Sequence, residues 1–177
     1  MTLELLERAW REIGRFTWAF TNVERALDEV LIVLFSLKVP AEDLFLNSID
    51  LRKKINIAEI ALSYQNSNSD HQKCLKHFHT MHDLRNNIAH KVFVAEKIGK
   101  NSGIGFSLTT TRNKIGYKSK FHSFEDFEKY FATLRAISDA LTEIGKTCKP
   151  LGDDDSALAS SLREIGLSNV VDFPERR

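Results

Sequence analysis

Leu6-Glu-Arg-Ala-Trp-Arg-Glu-Ile-Gly-Arg-Phe-Thr-Trp-Ala-Phe20 opens a run whose apolar residues recur at helical spacing as far as Leu34. Leu6, Trp10, Ile13, Phe16, Phe20, Val23, Leu27, Leu31 and Leu34 follow in steps of three and four, which keeps them on one stripe of a helix. Glu4, Glu7, Arg11, Glu24 and Asp28 fall mostly off it. The spacing predicts one long helix, or two with a bend near Gly14, capped by Thr2 and ended before Pro40.

Further along, three more stretches carry the same period. A second helix is expected from about Asp50 to Tyr64 through Leu51, Ile55, Ala58 and Leu62, with Asp50 as N-cap and a shorter turn over Ala41 to Phe45 before it. Gln65-Asn-Ser-Asn-Ser-Asp70 is small, polar and rich in turn formers, hence a loop. The third helix is expected from about His71 to Val92. A fourth starts at Ser123, with Asp126 where a capping-box acid belongs. Its stripe is Phe124, Phe127, Phe131, Leu134, Ile137, Leu141 and Ile144, and Gly145 lies near its end.

Between the third and fourth helices the character changes. Lys97 to Lys120 contains Gly99, Gly103, Gly105 and Gly116 with alternating segments such as Ile104-Gly-Phe-Ser-Leu-Thr-Thr110. This predicts a β-hairpin or loop, with Val92 to Ala95 as a first strand and lysines guarding the edges. Pro150-Leu-Gly-Asp-Asp-Asp155 reads as a linker, and Ala157 to Ile165 as a short last helix closed by Gly166. The expected fold is therefore all-α. It is a four- to five-helix up-down bundle over residues 1–148, with a small hairpin or loop inserted at about 93–121 and an appendage over 149–177.

Composition sets the outer bounds. With 177 residues, 42% hydrophobic and 28% charged, the chain is of ordinary globular type and suits one domain with at most a small appendage. Lys and Arg number 25 against 24 Asp and Glu, a net charge of +1. That excludes a uniformly basic nucleic-acid binder and an acidic disordered chain. Cys74 and Cys148 make no disulfide framework. Met1-Thr-Leu-Glu-Leu-Leu-Glu7 has no basic n-region or small-residue cleavage site, and Val30 to Leu37 is too short to span a bilayer. A cytoplasmic protein without a membrane partner is expected.

The balance is uneven along the chain. From His71 to Lys120 ten basic residues face only Asp83 and Glu96, a local net of +8 that leaves the remainder at −7. Basic solvated faces are commonplace. A phosphate-attracting surface beside the third helix is the sharper reading, and Lys91, Lys97, Arg112, Lys114 and Lys118 are its candidates for RNA binding.

Five of the six histidines (His71, His77, His79, His82 and His90) lie on the third helix. At about 100° per residue, His79, Asp83, Asn86 and His90 share a sector of roughly 60°. Phe78, Met81, Leu84, Ile88, Ala89 and Val92 form the opposite, apolar side, and Arg85 falls between Phe78 and Met81 within it. A guanidinium cannot shed its charge, so it needs an anion or a route to water. Three explanations are open. Arg85 could pair with a buried acid, the histidines being surface residues. His79 with His82, or His79 with Asp83, could bind zinc. Finally, a histidine could take the proton of a ribose 2′-hydroxyl while the arginine neutralises the phosphorane-like transition state.

Leu84-Arg-Asn-Asn-Ile-Ala-His90 resembles the signature of the HEPN superfamily, an arginine followed by a polar residue and then by histidine four to six residues after the arginine. The match lies late in a long helix and is followed by another amphipathic helix, as in that family. The resemblance implies a small helical bundle that forms a homodimer, bringing two Arg/His pairs into one cleft. It implies a metal-independent, cofactor-free endoribonuclease of the toxin or antiviral-defence kind, which leaves a 2′,3′-cyclic phosphate. Arg85 would then be the transition-state cation, Asn86 the phosphate or ribose orienter, and His90 the general base or acid, with His79 and Asp83 in support. RNA is the implied substrate, and an antitoxin or other protein a further partner. Members without catalysis serve as dimeric interaction modules in defence or toxin–antitoxin complexes, which is the alternative expectation. In one branch a modified Tyr stands two residues after the His; Val92 occupies that place here, so that mode of control does not carry over.

Overall fold

The stripe that begins at Leu6 folds as a single helix, α1 (Leu3–Phe35), with no break at Gly14. The computed structural model describes residues 2–38, 46–65, 69–107 and 120–151; the expected turn over 41–45 and the C-terminal helix over 157–165 lie outside them. α1 ends in a Schellman arrangement, which satisfies carbonyls the last turn leaves open. Ser36 adopts φ 50°, its N–H reaches the Val33 carbonyl, and the Leu37 N–H reaches the Ile32 carbonyl. α2 (Leu51–Tyr64) starts as expected at Asp50, whose carboxylate accepts from the Lys53 N–H at 3.0 Å. α3 spans Ser69–His90 and α4 spans Phe124–Thr147.

The all-α expectation is wrong. The described residues contain a three-stranded antiparallel sheet, order β1-β2-β3, from Val92–Ile98, Asn101–Ser107 and Lys120–Ser123. β1 and β2 form a hairpin in the expected region, with Ile98 opposite Asn101. Gly99 opens its two-residue turn at φ +62°, a left-handed value that glycine adopts without strain. What turns a hairpin insertion into a sheet is β3, which pairs Gly103 with Ser123 and Ile104 with His122. The approach is close enough that a β-carbon on Gly103 would collide with the His122 carbonyl oxygen and lie 2.7 Å from the Ser123 Cα. Gly103 is therefore a strand residue that admits a neighbouring backbone. Ala95, Ile104, Phe106 and His122 share one face of the sheet and are buried, whereas Val94 and Ile98 on the other face are exposed.

The described residues fall into two compact units, one from the stretches up to Val23 and His77–Ala136, the other from Glu24–Lys76 and the stretch from Ile137 onward. The first holds the sheet and an aromatic core of Phe16, Phe20, Phe78, Phe106 and Phe127. Phe16 stacks on Phe20 and meets Phe127 edge-on. In this unit β3 passes directly into α4 through a reciprocal capping box. Asp126 accepts from the Ser123 N–H at 3.0 Å, and the Asp126 N–H donates to Ser123 Oγ at 3.1 Å. Beside it His122 Nδ1 and the Tyr130 hydroxyl share a hydrogen bond of 2.6 Å, and Arg8 lies 4.4 Å over the Phe124 ring. The second unit is built on Leu27, Leu31 and Leu34 with Ile55, Ile57, Leu75 and Leu141. Lys54 donates to Asp28 at 2.8 Å there, and the Leu151 N–H to the Leu34 carbonyl at 2.8 Å. No helix among the described residues is long and apolar enough to cross a membrane.

Candidate nucleic-acid site at the end of the third helix

Burial along α3 falls off toward its end. Phe78, Met81 and Leu84 are buried, Arg85, Asn86, Asn87 and Ile88 are half-exposed, and Ala89 and His90 are exposed. The helix therefore leaves the core in its last two turns, and the Lys91 N–H still bonds the Asn87 carbonyl at 3.0 Å as the chain passes into β1. This resolves the anomaly of a guanidinium on an apolar face. Arg85 sits where that face is no longer sealed and reaches water along its own stem. It forms no ion pair with any described residue, so the buried-acid explanation finds no partner there.

Asn86 is held by the helix itself. Its Nδ2 donates to His82 Nε2 at 3.3 Å, which makes Nε2 the unprotonated nitrogen of that ring in the bonded state. In the sequence His82 stands out only as a zinc-ligand candidate with His79, not as a partner of Asn86. The signal for it was present, because residues four apart on a helix are neighbours. His79 is half-buried and Asp83 exposed on the same polar stripe. Arg85 and His90, five residues apart, are turned about 140° from each other around the helix. One chain therefore does not aim both at the same atom.

Of the cations expected to hold RNA, Lys91 is half-exposed just past the end of α3 and Lys97 exposed on β1, while Arg112, Lys114 and Lys118 lie outside the described residues. Among the described residues no group of three or more His, Cys, Asp or Glu comes together as a metal site. Neither cysteine is prepared for attack. Burial pushes the Cys74 thiol up to about 11, and burial raises Cys148 as well, so both stay protonated at neutral pH.

A groove of about 580 Å³ opens beside this helix end. Leu6, Trp10 and Ile13 of α1, Ile88 and Lys91, and Phe93, Val94 and Ala95 of β1 line it. The sequence stripe places Trp10 in the core, but it is 57% exposed and meets Phe93 edge-on with ring centres 4.6 Å apart. The stripe is correct for direction; it simply continues past the point where the core ends.

The chain matches no known protein family, no curated protein and no solved structure. The site must be read from its own chemistry.

Proposed function

We propose that the chain is a metal-independent endoribonuclease of HEPN type that acts as a homodimer. The observation that carries this reading is Arg85, a guanidinium at a helix end with no ion pair among the described residues. An uncommitted arginine beside an amide and an exposed histidine has what phosphate-ester cleavage requires. His90 takes the proton from the ribose 2′-hydroxyl, and O2′ attacks the adjacent phosphorus. Arg85 neutralises the charge gathering on the phosphoryl oxygens, and Asn86 orients the phosphate. The P–O5′ bond breaks, the departing 5′-oxygen takes a proton from water, the hydroxide so formed is neutralised by the proton His90 carries, and a 2′,3′-cyclic phosphate remains. Because Arg85 and His90 diverge around one helix, a second protomer supplies the complementary pair in this reading.

Purified protein is expected to cleave single-stranded RNA in EDTA. His90→Ala should lower the rate by about 10²- to 10⁴-fold while leaving the helical circular dichroism unchanged. Cleavage at the full rate in that variant overturns the assignment. A second reading, a non-catalytic dimeric interaction module of a defence or toxin–antitoxin complex, is favoured by one observation, the exposed apolar side chains Leu3, Trp10 and Trp18 on α1. It predicts no cleavage by the wild-type protein.

A further inference from the structure

We infer that the groove between α1, the end of α3 and β1 seats an unpaired base of single-stranded RNA, with Trp10 as its stacking surface and Lys91 as its phosphate contact. The inference rests on the proposed ribonuclease reading and specifies its substrate class. Three observations carry it.

The first is the indole. Trp10 stands 57% exposed at the groove wall, braced edge-on by Phe93, so a large flat π-face is held in place and kept wet. Base stacking on such a face tolerates any sequence, because every base has a π-face of its own. The second is size and character. The groove's 580 Å³ lies within the range of about 300–1,000 Å³ usual for small-ligand sites, and its walls are apolar except for one cation, Lys91. An apolar slot with one lysine among its lining residues complements a base attached to a phosphate. A purely apolar protein segment would make no use of that positive charge. The third is continuity with the proposed chemistry. Arg85 and Ile88 lie one turn apart near the end of α3, and Lys91 follows three residues on, just past that end, with its N–H still bonded to the Asn87 carbonyl. A strand whose phosphate meets Arg85 therefore has its next base at the Ile88 and Lys91 wall. The surplus of cations over His71–Lys120 favours the same polyanion. A base inside a duplex cannot reach the indole, so the site selects single strands.

The test uses a single-stranded 2′-O-methyl oligoadenylate, which lacks the attacking hydroxyl and cannot be cleaved by the proposed route. The chain has two tryptophans, so Trp18→Phe leaves Trp10 as the sole indole reporter. Addition of the oligonucleotide should quench its emission saturably. In the wild-type background, Trp10→Leu should weaken binding by about five- to a hundredfold, while Trp10→Phe, which keeps a ring, should retain most of it. Lys91→Ala should flatten the dependence of log K on log salt by about one contact's worth. The same sequence annealed to its complement should bind poorly.

The inference is overturned if the wild-type protein does not bind the probe, if Trp10→Leu binds it unchanged with native circular dichroism, or if the duplex binds as well as the single strand. Failure of the ribonuclease reading shows separately. Loss of binding in Trp10→Leu together with full cleavage by His90→Ala leaves the base site standing and removes the assigned chemistry. Unchanged binding in Trp10→Leu with cleavage abolished in His90→Ala does the reverse.

Discussion

Two helix ends border the sheet, and they are finished in opposite ways. Where β3 passes into α4, Ser123 and Asp126 satisfy each other's backbone groups, His122 bonds Tyr130, and Arg8 covers Phe124. Where α3 passes into β1, Arg85 has no ion pair to a described residue, His90 is exposed, and Trp10 stands above an open groove. Polar groups that satisfy one another stabilise the fold but are not available to a ligand. Groups left open contribute little stability and are free to bind. The first junction is thus expected to govern folding and the second to govern function, and substitutions can test that division.

The largest effect belongs at the closed junction. Phe127 is fully buried in the first turn of α4, with Phe16, Tyr130 and Phe131 around it at ring distances of 6.3, 5.7 and 6.5 Å. Phe127→Ala should cost about 3–5 kcal/mol in urea-induced unfolding, from lost transfer energy and the cavity left behind. A cost below about 1 kcal/mol would break the contrast, because it would mean that this end is as loosely packed as the other.

The capping box should show a smaller and pH-dependent effect. Burial works to raise the Asp126 carboxyl, but the bonds from the Ser123 hydroxyl and N–H, with Lys129 nearby, outweigh it and hold the group below its ordinary value. A carboxyl depressed in the folded state stabilises the protein above its unfolded value, near pH 3.9, and that stabilisation is lost as pH falls through the folded value. Ser123→Ala should therefore cost about 1 kcal/mol at neutral pH. The gap between wild type and Asp126→Asn in thermal melts should narrow as the pH drops below about 4. A gap that stays constant with pH would show that the carboxylate charge does not contribute.

How much of this was legible follows from how local each feature is. The Ser123–Asp126 box and the Asp50 cap are encoded within four residues, and both appear where the sequence puts them. The α1 stripe reads correctly from Ile13 to Leu34, since periodicity reports direction, yet it misplaces Trp10 because periodicity does not report where the core stops. β3 was invisible for a different reason. Lys120-Phe-His-Ser123 is too short to show alternation, and only its pairing with the glycines of β2 makes it a strand. Fold class failed on that one non-local contact. At the site, Arg85 announced itself as an anomaly of charge on an apolar face. Its resolution needed the burial gradient along α3, which depends on what the rest of the chain covers.

The smallest expected change is the sharpest test of the open junction. If Arg85 were tied to a buried acid, Arg85→Ala would strand that acid and cost about 3–5 kcal/mol. Half-exposed and without an ion pair to a described residue, it should instead change unfolding stability by no more than about 0.5 kcal/mol. A large loss would move Arg85 to the stabilising side of the comparison and leave the helix end without its cation for function. A negligible one, measured on the same protein in which RNA cleavage disappears, would separate function from folding at a single side chain.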